Sequence, residues 1–174
     1  HKLYGPKGIG ALYIRKGVVL EPLISGGKQE NGMRAGTENV LGIVGLGKAA
    51  ELAVQRIHEM DRIKRMRDKL EKGIRELMAE AKLNGNPGAM LPNTLNITLP
   101  GIRGESVVLA LDQKGVSLSS GSACRAGSPK PSHALLAMGL SEEEAHCALR
   151  FSLGLGNTME EIDRTIDLLG EVIR

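Results

Sequence analysis

The run SSGSACRAGS, residues 119–128, sets Cys124 among glycines and serines. A packing cysteine normally sits among apolar neighbours, whereas a thiol in a Gly/Ser loop is accessible, and its thiolate is a strong nucleophile. At the other end of the chain Lys2 opens onto HKLYGPKGIG, a turn-rich stretch that would hold the backbone close to a bound group. A lysine so placed is a catalytic candidate, weighed against the plainer reading of a surface charge. Cys147, in EEEAHCALR, is flanked by Ala and Leu at the end of a helical run and reads as a small buried hydrophobe. His58 falls on a long charged helix and reads as solvated, and His133 decorates the first turn of a short one. His146 and Cys147 are adjacent and project in different directions, so they make no two-ligand metal site. The two cysteines give neither a disulfide framework nor metal spacing, which suits a reducing, cytoplasmic setting and predicts no metal.

The elements around these residues follow from pattern. After the opening turn, Ala11–Arg15 reads as a short strand. GGKQENGMRAGTEN follows as an irregular stretch whose glycines 26, 27, 32 and 36 favour turns. A helical pattern runs from Val40 to about Glu80, with Leu52, Ile57, Met60, Ile63, Met66, Leu70, Ile74 and Leu77 recurring at three- to five-residue steps. That length predicts a break, and a domain change within residues 50–65. The division expected is 1–55 for the end of one domain with the start of a linking helix, and 56–174 for a small α/β domain bearing the cysteine loop. NTLNITLP alternates Leu95, Ile97 and Leu99 against Asn96 and Thr98, a half-buried strand ended by Pro100. GESVVLALDQKG reads as a helix closed by Gly115, VSLSS as a strand running into the Cys124 loop, and Pro131–Ser132 as the start of a helix through Met138. Ser141 with Glu144, and Thr158 with Glu161, have capping-box spacing and mark helix starts at Glu142 and Met159. ALRFSLG between them is a strand. Strands and helices mix without a strict repeat, so the fold class is α/β.

With 174 residues the chain makes one domain or parts of two, and with 41% hydrophobic but 2% aromatic residues its core must be aliphatic. The formal net charge is +3, and the densest basic cluster, RIKRMRDKLEK at 62–72, is interleaved with acids and apolar residues. This is a solvated helix face, with no aromatic platform for bases, so nucleic acid is excluded as a partner. No apolar run approaches the roughly 20 residues that span a bilayer, so a membrane is excluded too. No signal peptide is visible, and the chain opens with His1 rather than Met, as expected of a truncated, processed or split product.

Four segments carry a resemblance. HKLYGPKGIGALYIR is similar to the cofactor-lysine segment of the cysteine desulfurases that supply sulfur for iron–sulfur clusters. GGKQENGMRAGTEN, SSGSAC and ALRFSLG resemble three further segments of that family, in the same order. The resemblance implies the C-terminal part of an aminotransferase-like (fold type I) enzyme that depends on pyridoxal 5'-phosphate and works as a homodimer. It implies that Lys2 forms the Schiff base with the cofactor and that His1 contacts it. It implies that Thr37 reaches the cofactor phosphate of the opposite subunit, where its hydroxyl suits an anion. Arg150 reads by its own context as a strand-edge charge; the resemblance makes it the clamp for the substrate carboxylate, for which a planar fork of donors is suited. Cys124 becomes the residue that takes sulfur from L-cysteine as a persulfide, releases L-alanine, and passes the sulfur to an acceptor or iron–sulfur scaffold protein.

The family's chain is longer. The groups that stack on the cofactor ring, pair with its nitrogen and form most of the phosphate cup belong to a preceding N-terminal portion, which becomes an expected partner. Two alternatives stay open: a selenocysteine lyase with the same cofactor chemistry, and a cofactor-free sulfur-relay or scaffold module retaining Cys124.

Overall fold

The computed structural model describes residues 1–120 and 130–174. The chain divides into two compact units, His1–Ile57 and His58–Arg174.

In the first unit one helix, α1 (Val40–Gln55), organises the rest. Asn39 caps it, its Oδ1 accepting from the Gly42 N–H at 3.0 Å. The glycines of VLGIVGLGKAA leave a bare face on which the N-terminal segment lies. A Cβ on Gly45 would come within 2.8 Å of Pro6, one on Gly42 within 3.1 Å of Ile9, and one on Gly5 within 3.1 Å of Ala49. The strand expected at Ala11–Arg15 does not form. Its apolar alternation is real, but a strand needs a ladder partner, and no other segment of residues 1–57 is extended into a strand. Leu12 and Tyr13 are exposed instead. The chain turns at Gly17, and a short 3-10 turn, Gln29–Gly32, precedes the segment Arg34–Asn39.

The helical pattern expected to run from Val40 to about Glu80 breaks where a 3-10 turn, Ile57–Glu59, separates α1 from α2 (Met60–Leu77). In the second unit α2 buries Ile63, Met66, Leu70 and Ile74, one face at helical spacing. The strands are β1 (Lys82–Leu83), β2 (Thr94–Thr98), β3 (Ser119–Ser120) and β4 (Ala148–Ser152). They form an antiparallel sheet in the order β1-β2-β4-β3. Only the last two residues of VSLSS reach strand geometry. The helix α3 (Gly104–Asp112) precedes β3 and turns at Gly115, whose φ is +82°. The short helices α4 (His133–Ala137) and α5 (Glu142–His146) precede β4, and α6 (Met159–Val172) follows it. Both capping boxes form, Ser141 with Glu144 and Thr158 with Glu161.

The core lies between one sheet face and the helices α2, α3 and α6. Leu95, Ile97, Leu149 and Phe151 point from the strands into Ile63, Met66, Leu70, Ile74, Val107, Leu111, Ile162 and Leu169. The helices α2 and α6 approach closely because position 73 has no side chain, where a Cβ would lie 2.4 Å from Ile166 Cδ1. Arg62, near the start of α2, reaches the segment after β4 and donates to the carbonyls of Leu155 and Asn157, each at 2.8 Å. This bond pair fixes β4 from its C-terminal side. The second sheet face is not uniformly open, as simple alternation would suggest. Thr98 is buried there, its hydroxyl near the Glu144 carbonyl at 3.5 Å, and Leu135, Ala145 and Ala148 form a small satellite cluster.

Candidate active site

On β4, the buried Leu149 and Phe151 face the core, so the pleat turns Arg150 to the other face. The register sets Arg150 directly opposite Asn96 of β2 on one side and Ser119 of β3 on the other. Three polar side chains therefore stand in one cross-strand row. The Arg150 Nε is buried without a hydrogen-bond partner. An unpaired guanidinium nitrogen out of water is costly, and an anion seated against it would remove that cost.

Asn96 has a fixed partner of its own. Its Oδ1 accepts from Asn84 Nδ2 at 2.7 Å, and Asn84 Nδ2 also reaches Thr98 Oγ1 at 2.9 Å. The Thr98 hydroxyl returns to Asn84 Oδ1 at 3.2 Å, and the Asn84 backbone N–H donates to the Asn96 carbonyl at 2.9 Å. Sequence reasoning placed Asn96 only on the polar side of a strand. The available signal was that asparagine is disfavoured in mid-strand and needs a reason to be there.

In the first unit, His1 and Lys2 begin a turn in which the Tyr4 N–H donates to the His1 carbonyl at 3.0 Å, and Tyr4 takes φ +64°. His1 and Lys2 are exposed. The Lys2 amine has no partner among the described residues, so it is available to a carbonyl or an anion. Thr37 is also exposed, in the segment ahead of the Asn39 cap. That segment is tied down on its N-terminal side. The Ala35 N–H donates to the Ile24 carbonyl at 3.3 Å, and the Gly36 N–H to Gln29 Oε1 at 3.2 Å. Thr37 is thus held close to the N-terminus of a 16-residue helix, where free N–H groups favour negative charge.

Cys124 lies outside the described residues. Cys147 is a free thiol, 5% exposed at the end of α5, as the apolar context of its segment implied. The His58 side chain is 73% exposed, solvated as expected, but it lies in the 3-10 turn between α1 and α2 and not on a long helix. Among the described residues no cluster of three or more His, Cys, Asp or Glu could hold a metal ion, and no helix is long and apolar enough to cross a membrane.

Comparison with known proteins gives the chain a family. The aminotransferase class-V family matches residues 1–165. The chain belongs to that family. Among its relatives, a cysteine desulfurase of Gluconacetobacter diazotrophicus is 50% identical over 99% of this chain and 44% of its own length. Cysteine desulfurase IscS of Clostridium botulinum is 49% identical over 100% of this chain and 45% of its own. Among solved structures, a NifS-like protein superposes with a TM-score of 0.87 at 40% identity, covering 99% of this chain and 44% of the other. SspA, solved in complex with cysteine, gives a TM-score of 0.58 at 38% identity over 88% of this chain and 42% of SspA. This class-V chain therefore spans less than half the length of the relatives it matches. Its mixed helix-and-sheet architecture is the aminotransferase-like, fold type I architecture expected from the sequence.

Proposed function

We propose that the whole protein is a pyridoxal 5'-phosphate-dependent cysteine desulfurase. It converts L-cysteine to L-alanine and leaves the sulfur on Cys124 as a persulfide, for iron–sulfur cluster assembly or another sulfur acceptor protein. The observation that carries this reading is identity of 49–50% with proteins named cysteine desulfurase, sustained over 99–100% of this chain.

The groups present fit the cofactor. Lys2 offers an exposed primary amine without a partner among the described residues, and Thr37 an exposed hydroxyl beside a helix N-terminus. When bound, pyridoxal phosphate supplies an electron sink that loosens the bonds around the amino acid's α-carbon. Lys2 would hold it covalently and, once displaced by substrate, carry a proton at Nζ. Thr37 Oγ1 would donate to the phosphate, with His1 alongside. Arg150 would take the substrate carboxylate, which supplies the acceptor that its Nε lacks. Cys124, as thiolate, would attack the substrate sulfur. The new S–S bond forms as the substrate Cβ–S bond breaks, the electron pair stays with the carbon framework, and L-alanine leaves after proton uptake. The working unit is a homodimer in which Thr37 serves the partner's site. A cytoplasmic location suits this chemistry, because a reducing compartment keeps Cys124 a thiol between cycles.

The test is the mass of tryptic peptides after one turnover of the full-length protein with thiols excluded. One added sulfur on the Cys124 peptide is expected, and Cys124→Ser should bind cysteine yet release no alanine. Sulfur on the Cys147 peptide alone, or full alanine release by Cys124→Ser, would overturn the assignment.

A further inference from the structure

We propose that Asn96 is the second donor of the carboxylate site, held in position by Asn84, and that the pair makes the site select ligands with a carboxylate. The inference rests on the reading of Arg150 given above. Three observations carry it. First, the register places Asn96 directly opposite Arg150, so the two side chains share a face with their Cβ atoms about 5 Å apart. Second, Arg150 Nε is buried and unpartnered, so Asn96 does not serve it as an acceptor. Third, Asn96 has its carbonyl oxygen engaged by Asn84 Nδ2 at 2.7 Å, and Asn84 is in turn fixed by Thr98 and by the backbone of Asn96 itself.

An amide has one acceptor end and one donor end. With Oδ1 held by Asn84, the Asn96 Nδ2 is the free end, and it has no bond to any described residue. A neutral donor beside a guanidinium complements an anion without adding a second charge to bury. Asn84 is the positioning residue. It is 9% exposed and spends its own amide inside the trio, so its effect on a ligand passes through Asn96. The arrangement also gives the polar trio on this sheet face a use beyond fixing strand register.

The experiment compares two probes on the full-length, cofactor-loaded protein. L-alanine carries the carboxylate; L-alaninamide keeps the α-amino group but has a neutral amide in the carboxylate's place. Dissociation constants are read from the change in the cofactor's visible absorption, which needs no turnover. Asn96→Asp is nearly isosteric and keeps the oxygen that Asn84 holds, but it replaces the donor with negative charge. Asn96→Ala removes both ends. Both should weaken L-alanine, Asn96→Ala by about ten- to a hundredfold and Asn96→Asp by at least as much, with alaninamide binding unchanged. Asn84→Ala should give a smaller loss of the same preference. Equal weakening of both probes would mean structural damage, and an unchanged preference in both Asn96 variants would mean that Asn96 is no part of the site; either result overturns the proposal. Arg150→Lys separates the two levels of inference. If it leaves the preference intact, the reading of Arg150 itself fails. If it abolishes the preference while the Asn96 variants do not, only the role of Asn96 fails.

Discussion

At the scale of single residues, Arg150 is where local chemistry and structure bear most directly on each other. A lysine there keeps the charge but loses the planar fork, so one charge-assisted bond is lost, worth roughly 1.5–3 kcal/mol. Arg150→Lys is therefore expected to lower kcat/KM for L-cysteine by about one to two decades, with the cofactor's absorption spectrum intact. Steady-state kinetics on the full-length protein check this, and an unchanged kcat/KM returns Arg150 to a strand-edge charge. Cys147 predicts the opposite pattern, because it is buried and free. Cys147→Ala should leave turnover running and lower stability by about 1 kcal/mol, since a single small buried group is removed. These two residues also show what the sequence could disclose. Cys147 was legible from its immediate neighbours, because burial of a small thiol among Ala and Leu is a local matter. The role proposed for Arg150 rests on a resemblance between segments, and nothing in ALRFSLG states that its Nε is buried without a partner. Asn96 was harder still. Its significance depends on standing opposite a residue 54 positions later in the chain, and a register of that range is not written in either strand alone.

At the scale of elements, the best-read features were those whose physics is confined to one turn of chain. Both capping boxes formed where Ser-x-x-Glu and Thr-x-x-Glu predicted them, because the bonds involved span three residues. The break between α1 and α2 was likewise legible, from length alone. Residues 11–15 went the other way, because a ladder requires a second strand that the local pattern cannot supply. The caps give a quantitative expectation. Thr158→Ala, at the start of the helix that packs on α2, should cost about 1 kcal/mol, read as a lower urea midpoint with unchanged slope. Its partner gives a pH dependence. Bonds from the Asn157 side chain and the Thr158 N–H hold the Glu161 carboxyl below its ordinary value. A lowered folded-state value means that the ionised carboxylate stabilises the fold fully above the ordinary glutamate range. That contribution is lost as pH falls through the lowered value. Unfolding midpoints between about pH 6 and about pH 3 should therefore decline less steeply in Glu161→Gln than in the parent. Parallel profiles would show that the cap does not depend on charge.

At the scale of the whole molecule, the first unit raises a question that the second does not. Residues 58–174 enclose an aliphatic core of their own. Residues 1–57 instead leave Leu12, Tyr13, Val19, Leu23 and Leu41 between 75% and 97% exposed. Apolar side chains so exposed leave surface free for contact with other protein, and the relatives of this chain are more than twice its length. Lys2 and Thr37 lie in this same unit. If each completed site takes Lys2 from one subunit and Thr37 from the other, lesions at the two positions must complement. In a hybrid of Lys2→Ala and Thr37→Ala subunits, one site receives both lesions and the other receives neither. Random mixing makes half of the dimers hybrid, so about a quarter of all sites would be intact. Equal mixtures of the two full-length variants, each inactive alone, should thus recover up to about a quarter of the parent's alanine production after subunit exchange. If Thr37 instead served its own subunit, every site would keep one lesion whatever the pairing. No recovery after exchange has been verified by mass spectrometry of differently tagged subunits would then place Thr37 in cis and remove it from the dimer interface.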